Sequence, residues 1–332
     1  MSDTNHRSSG HVLGIVAAVL SVMAALFLFV NRQYVVDQVN VWQYQPTDAV
    51  VQLSQRSGMS DTGEFYFYAS IPSIESTQVF NDKCGRKEES TAILGCYTTQ
   101  RIYIYDVKDA KLDGIREVTA AHEMLHATYE RMSPGERAKV DTLLEAEYEK
   151  LRNNKDLAER MAFYARTEPG ERDNELHSVI GTEVSSISPE LEAHYEKYFT
   201  DRQKVVALHD KYASVFLDLQ RKSSELVSEL KALGDSIEAD TIIYNSDVSK
   251  LNQDIQSFNN RANNGGFSSQ AQFEAERANL ETRTNQLNNH RQQINTDVSR
   301  YETLRQELAS IASESEALNR SIDSSLAPAP SL

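Results

Sequence analysis

The sequence predicts an α+β fold in three parts: an N-terminal membrane helix, a small mixed domain and a C-terminal antiparallel coiled-coil hairpin. The stretch from Val12 to Val30 contains no charged residue and is long enough to cross a bilayer as a helix. Short aromatic and β-branched runs between residues 64 and 106 indicate strands, and amphipathic helical patterns follow them. Beyond residue 205, glycine and proline almost vanish, and apolar residues recur in heptads.

The length and the charge of the chain limit its class. A chain of 332 residues has room for one or two domains with a sizeable core. Its formal net charge of -15 leaves no basic face for phosphates, so we expect no nucleic-acid partner. The predicted parts are a disordered N-terminus (1–11), a membrane anchor (12–30), a connector (31–45), the mixed domain (46–204), the hairpin (205–322) and a flexible tail (323–332).

The apolar stretch favours an uncleaved, single-pass anchor over a cleaved signal peptide. A signal peptide usually has a shorter apolar region that ends in a small-x-small site, whereas this one becomes bulkier from Ala24 to Val30. Arg7 precedes the stretch and Arg32 follows it, so the charges do not decide the orientation. Cys84 and Cys96 lie close in the sequence, and in an exported chain such a pair favours a disulfide over two unpaired thiols. We therefore expect the mixed domain outside the cytoplasm.

Local signals predict the elements of the mixed domain. Thr47 is a candidate N-cap of a short helix that ends near Gly58. Strands are predicted at Glu64–Ser70, Ile93–Tyr97 and Arg101–Asp106.

Five helical segments are predicted after these strands, and the third of them carries Leu157, Met161, Phe163 and Tyr164. Asp113 is a candidate N-cap of the first, and Ser133 begins the second through a capping box with Glu136. Asp173 can cap a short helix that Gly181 ends, and Ser188 precedes Pro189 at the start of the next.

The C-terminal heptads predict two seams joined by a turn. One seam runs from Leu226 to Phe258 and the other from Leu280 to Leu308, with Asn263–Ser269 between them. A hairpin within one chain is the simplest architecture, and pairing between two chains is the alternative. We expect this arm to hold the mixed domain away from the membrane or to recruit a protein partner, not to line a site.

The motif that carries chemistry is His122-Glu123-Met124-Leu125-His126, which has the form H-E-x-x-H. Residues four apart on a helix share a face, so His122 and His126 can bind one ion, and two imidazoles at this spacing suit Zn²⁺. Glu123 is close enough to act as general base on a water molecule. The competing interpretation is a solvated helix face that carries two histidines.

A catalytic zinc normally has a third protein ligand. Tyr129 and Met132 stand where a metzincin has its glycine and third histidine, which argues against that arrangement. Glu175, on a predicted short helix, is the first choice. His177 and Glu183 are the alternatives.

The two segments His122–His126 and Asn174–Ser178 resemble the gluzincin metallopeptidases, which carry H-E-x-x-H and a later N-E-x-x-S-D segment. The resemblance covers at most residues 60–200. It implies a zincin-like domain, with His122, His126 and Glu175 as zinc ligands and Glu123 as general base. The sequence departs from the pattern at Val179, where those enzymes have an aspartate that orients a ligating histidine.

These residues predict a membrane-anchored zinc peptidase whose substrate is a peptide or protein. Peptide hydrolysis usually needs a second donor for the developing oxyanion. His177, Tyr164, Arg166 and Tyr195 are candidates, and we expect His177 beside Glu123 among the catalytic residues. The alternative function is an envelope scaffold that acts through its coiled coil, with a structural or vestigial metal site. A metal-dependent hydrolase for another bond also fits the ligands.

Overall fold

The computed structural model describes residues 6–85, 93–167 and 170–325. It divides into two compact units. The first, here called the mixed unit, contains the described residues up to Val215 and from Leu318 onward, and the second, the arm, is Phe216–Ala317. The described chain is mostly helical with a small three-stranded sheet, which agrees in part with the predicted α+β class.

The elements follow one another in a simple order along the chain. The helices are α1 (His6–Val30), α2 (Arg32–Gln43), α3 (Asp48–Ser57), α4 (Asp61–Ala69), α5 (Thr77–Lys83), α6 (Ile115–Arg131), α7 (Pro134–Leu151), α8 (Lys155–Thr167), α9 (Arg172–Glu183), α10 (Pro189–Tyr195), α11 (Gln203–Asn263) and α12 (Gln270–Ile322). The strands are β1 (Ser73–Glu75), β2 (Gly95–Thr98) and β3 (Arg101–Tyr105).

The N-terminal helix α1 is long and apolar enough over Leu13–Val30 to cross a membrane, and none of that stretch is buried within the protein. It begins at His6, inside the predicted disordered N-terminus, of which residues 1–5 lie outside the described chain. Most of the predicted tail, residues 326–332, lies outside it too. The predicted connector, residues 31–45, contains helix α2, whose Asp37 and Asn40 are hydrogen-bonded to other parts of the mixed unit.

The predicted strand Glu64–Ser70 is wrong, since these residues belong to α4 and to the cap that follows it. Ser60 caps that helix by accepting the N–H of Gly63, and Phe67 is fully buried. A side chain at position 63 would meet the carbonyl oxygen of Tyr198 at 2.2 Å. Tertiary packing and a local cap therefore outweigh the aromatic composition that favoured a strand.

The sheet has the order β1-β3-β2, with β1 parallel and β2 antiparallel to β3. The two strands predicted around residues 93–106 are confirmed, and Thr99 and Gln100 turn between them with positive φ angles. The predicted disulfide between Cys84 and Cys96 is also present, with Cα atoms 5.8 Å apart. It ties the end of α5 to β2.

Several helix boundaries follow their predicted caps. Thr47 accepts the N–H of Val50, Gly58 ends α3 with a φ of 74°, and the capping box of Ser133 and Glu136 is present. Gly114 rather than Asp113 precedes α6, because the Asp113 carboxylate pairs with other charged side chains.

The prediction that Gly181 ends a helix is wrong, because α9 continues through it to Glu183. A side chain at position 181 would lie 2.4 Å from Leu125 of α6 and 2.8 Å from Tyr195. The glycine therefore serves the close approach of α9 to α6.

The arm consists of most of α11 and α12, and the turn predicted at Asn263–Ser269 is confirmed. Three ion pairs join the two helices: Glu229 with Arg300, Asp254 with Arg283, and Arg261 with Glu276. The residue number of the partner on α12 falls as the residue number on α11 rises. The two helices therefore run antiparallel within one chain.

Candidate metal centre

Three potential ligands converge between α6 and α9. Nitrogen and oxygen atoms of His122, His126 and Glu175 all lie within 4.8 Å of one another. The two histidine Nε2 atoms are 3.0 Å apart, and Glu175 places one carboxylate oxygen 3.3 Å from His126 Nε2 and the other 3.6 Å from His122 Nε2. This group could hold a metal ion.

The secondary structure explains the convergence. His122 and His126 are one turn apart on α6 and therefore lie on the same face. Glu175 lies in the first turn of α9, and the contact between Gly181 and Leu125 brings that helix close to α6. Two helices and one glycine thus position all three side chains.

The electrostatics of the group favour a cation. Burial alone would raise the pKa of Glu175, but the neighbouring His122 and His126 hold that pKa well below its usual range. Burial alone would lower the pKa of His126, yet the Glu175 carboxylate outweighs it and raises the pKa to about 9. The centre therefore attracts positive charge to the point where the three side chains meet.

Asn174 orients one of the ligands, a role that the sequence left unassigned. Its Oδ1 lies 2.9 Å from Nδ1 of His126, while its Nδ2 donates to Glu171 at 2.9 Å. With the amide held in this direction, Nδ1 of His126 donates to Asn174, and Nε2 is the ring nitrogen that faces the group and can bind a metal ion once its proton is lost. The signal was the position of Asn174 directly before Glu175.

Glu123 has one carboxylate oxygen, Oε2, that is buried without a hydrogen-bond partner among the described residues. Burial raises the pKa of this carboxyl, although His126 and His122 oppose the shift. The backbone N–H of Tyr97 donates to the carboxylate, and a side chain at Gly95 would meet Oε1 at 2.7 Å. Strand β2 thus holds Glu123 in place and leaves one oxygen able to accept a proton.

The two alternative ligands are not brought to this group. His177 lies two residues beyond Glu175 and faces the other side of α9, where its Nε2 is 2.9 Å from Nε2 of His194 and its ring stacks on Tyr195. Glu183 accepts a hydrogen bond from Arg160 at 2.6 Å. The His177 side chain therefore does not contact the candidate metal centre, and its expected catalytic role has no structural support.

Of the other candidate donors, only Tyr164 lies at the centre. Burial and the carboxylates of Glu175 and Glu123 raise its pKa well above the usual range, and its hydroxyl donates to Glu175. The hydroxyl of Tyr195 is buried and donates to the carbonyl of His177 at 2.8 Å, while Arg166 donates to Ala162 on its own helix.

The centre opens into a cleft of about 1400 Å³ that β2, α6 and α8 help to line. Because β2 stands at the edge of the sheet, its outer side runs along this cleft. An edge strand can pair with an extended peptide through backbone hydrogen bonds.

Comparisons of the chain with protein-family models, with curated proteins and with solved structures find no match. The likeness to gluzincins consequently rests on two sequence motifs, and the function has to be argued from the chemistry of the cleft.

Proposed function

We propose that this protein is a membrane-anchored, zinc-dependent peptidase with a zincin-like domain of the gluzincin type. One observation carries the proposal: a buried carboxylate oxygen of Glu123, without a hydrogen-bond partner in the described part of the chain, lies beside the convergent group of His122, His126 and Glu175. A purely structural metal site needs ligands but no base. A scaffold that acts through its arm needs neither.

The donor set supports zinc over harder cations. Two imidazole nitrogens and one carboxylate form a common catalytic zinc set with three protein ligands, whereas calcium and magnesium prefer oxygen atoms alone. The hydrogen bond from His126 to Asn174 matches the support that ligating histidines usually receive.

When bound, zinc supplies Lewis acidity, which polarises the scissile carbonyl and lowers the pKa of a water molecule. Glu123 removes a proton from the attacking water as its oxygen forms a bond to the carbonyl carbon. The same carboxyl then delivers this proton to the amine nitrogen as the C–N bond breaks. Tyr164 stays protonated at neutral pH, so its hydroxyl can donate to the developing oxyanion.

Helix α1 and the disulfide support the proposed location of the protein. The exposed apolar span Leu13–Val30 serves as the single-pass anchor. The disulfide between Cys84 and Cys96 favours an oxidising compartment, so the mixed unit lies outside the cytoplasm.

Glu123→Gln tests the proposed chemistry. The amide keeps the shape of the side chain but cannot take up the proton of water, so we expect hydrolysis of an unfolded protein substrate to fall about 100-fold or more. Zinc content, measured by atomic spectroscopy on the full chain in detergent, should stay at about one ion per chain.

Glu149→Gln is the control, because Glu149 is exposed on α7 and is not among the described residues that line the cleft. This variant should keep wild-type activity. Near-wild-type activity of Glu123→Gln would remove Glu123 as the base, and a zinc-loaded wild type without peptidase activity would favour the scaffold.

A further inference from the structure

Helix α2 is joined to the end of the metal-binding helix by a buried ion pair. The guanidinium of Arg131 donates to both carboxylate oxygens of Asp37, at 2.9 and 2.8 Å. Their side chains are only 5% and 2% exposed. The same guanidinium donates to the hydroxyl of Tyr97, on the strand beside Glu123. A buried, bidentate pair of this kind fixes both distance and direction.

Further hydrogen bonds hold α2 along its length. At its start, Gln33 accepts from the side chain of Gln100, in the β2–β3 turn, at 3.1 Å. Near its end, Asn40 donates to the carbonyl oxygen of Ala69 at 3.0 Å. Helix α2 is therefore part of the mixed unit, and the apolar span ends only one residue before it.

These contacts limit the distance between the active centre and the membrane. A first path from the membrane span to Glu123 runs through Gln33 and the β2–β3 turn. Gln33 lies about 5 Å along a helix from Val30 and contacts Gln100 in that turn. From the turn, Gly95 lies about 10 Å along β2 from Thr98 and contacts Glu123. A second path runs through the ion pair of Asp37 and Arg131. Asp37 lies about 10 Å along a helix from Val30, and Arg131 lies about 8 Å along α6 from His126. With the intervening side chains fully extended, either path places Glu123 no more than about 40 Å from the end of the span.

We infer that the substrates are polypeptides anchored in the same membrane, and that they are cleaved in the unfolded segment next to the bilayer. An extended chain covers about 40 Å in roughly twelve residues, so a cleavage site about twelve residues from its own membrane span can reach Glu123. Anchoring in one membrane also raises the effective concentration of such substrates. This inference rests on the proposed peptidase function and differs from the expectation that the arm holds the domain away from the membrane.

The position of the site can be measured without any hydrolysis. Thr99 is exposed in the β2–β3 turn, so Thr99→Cys can carry a fluorescent donor while Cys84 and Cys96 stay paired. In liposomes with acceptor-labelled headgroups, the full chain should show strong energy transfer, with the donor within about 20 Å of the headgroups. An EAAAK spacer of about 15 residues after Val30 should move the donor outward by about 22 Å and reduce the transfer. Weak transfer without the spacer would overturn the inference.

The substrate class is tested with single-span proteins in the same liposomes. Each carries the same segment of the unfolded protein substrate, placed after linkers of increasing length, and this segment is also assayed as a soluble peptide. Cleavage should begin at a linker of about twelve residues or fewer, and the spacer variant should require about six residues more. The substrate class would be overturned if the shortest linker that permits cleavage exceeded about 20 residues, or if the spacer did not change this length.

The soluble peptide separates the two proposals. If wild type cleaves it and Glu123→Gln does not, the peptidase function stands whatever the linker series shows. If neither cleaves it, the proposed function falls, and the substrate class falls with it.

Discussion

The mixed unit and the arm differ in whether their charged side chains are buried. The mixed unit buries acidic and basic side chains, among them Asp37, Glu117, Glu123, Glu147, Glu175 and Arg202. The arm, described without gaps from residue 216 to 317, buries no charged side chain. Its ion pairs, such as Arg283 with Asp254, stay partly or largely exposed.

This difference indicates that charged side chains are held in fixed positions in the mixed unit and only solvate the surface in the arm. Burying a charge is unfavourable unless partners compensate it, so a domain that buries several must position them closely. In the mixed unit, Glu175 belongs to the candidate metal centre, Glu123 lies beside it, and Asp37 attaches α2. The arm buries only apolar side chains, all on α11: Leu219, Leu226, Leu230, Leu251 and Phe258.

Removing a ligand should produce the largest effect. Glu175→Ala deletes the only carboxylate of the group, and we expect zinc content to fall from about one ion per chain to near zero. Glu183→Ala, on the same helix, should keep its zinc because that carboxylate pairs with Arg160 instead. Atomic spectroscopy of both purified variants would measure this. Zinc loss in His177→Ala but not in Glu175→Ala would move the third ligand to His177.

Removing the residue that orients a ligand should have a smaller effect. Asn174→Ala leaves all three ligands but removes the 2.9 Å hydrogen bond of His126 Nδ1, which keeps only the longer contact with Ser178 Oγ at 3.2 Å. We expect zinc affinity to fall about 10- to 100-fold, as is typical for such supporting residues. Competition with a chromophoric chelator measures the affinity. An unchanged affinity would mean that Asn174 does not orient the histidine.

The ion pairs of the two units offer a direct comparison of stability. Asp37→Ala leaves the buried guanidinium of Arg131 without its carboxylate and should lower the free energy of unfolding by about 3 kcal/mol. Asp254→Ala removes one partner of a partly exposed pair and should cost under about 1 kcal/mol. Thermal unfolding in detergent compares the two. Equal effects would contradict the contrast between the units.

Sequence predicts this protein best where the signal is local. The caps at Thr47, Ser133 and Ser188 and the spacing of His122 and His126 depend on residues within one turn, and these predictions agree with the structure. Tertiary contacts decide the rest. Glu64–Ser70 is helical because Gly63 and Phe67 pack into the domain, and Gly181 lies within a helix because Leu125 touches it.

The candidate site shows the same limit. H-E-x-x-H identifies two ligands and the base, but the choice among Glu175, His177 and Glu183 depends on which side of α9 faces α6. Periodicity cannot decide this, because all three residues lie on a largely buried helix. The roles of Asn174 and Asp37 were missed because each acts through a partner far away in the sequence.

The smallest effect is expected from removing the arm. The ligands, Glu123, Tyr164 and Asn174 all belong to the mixed unit. Replacing residues 216–317 by a short Gly/Ser linker should leave zinc content unchanged and hydrolysis of a soluble peptide within about twofold, because no catalytic contact is removed. Zinc analysis and peptide assays of the full chain and the deletion variant test this.

The stability of a deletion variant should depend on where the deletion ends, because the residues after the arm belong to the mixed unit. Leu318 is 1% exposed, and Ser324 exchanges two hydrogen bonds with Asn81 of α5, so this segment is packed as part of the mixed unit. A deletion of 220–322 also removes Leu318, whose buried side chain should contribute about 2 kcal/mol or more. We therefore expect the longer deletion to unfold at a lower temperature than the shorter one, with zinc binding retained in both. Loss of zinc and activity in the shorter variant, shown to be folded by circular dichroism, would mean that the arm completes the site.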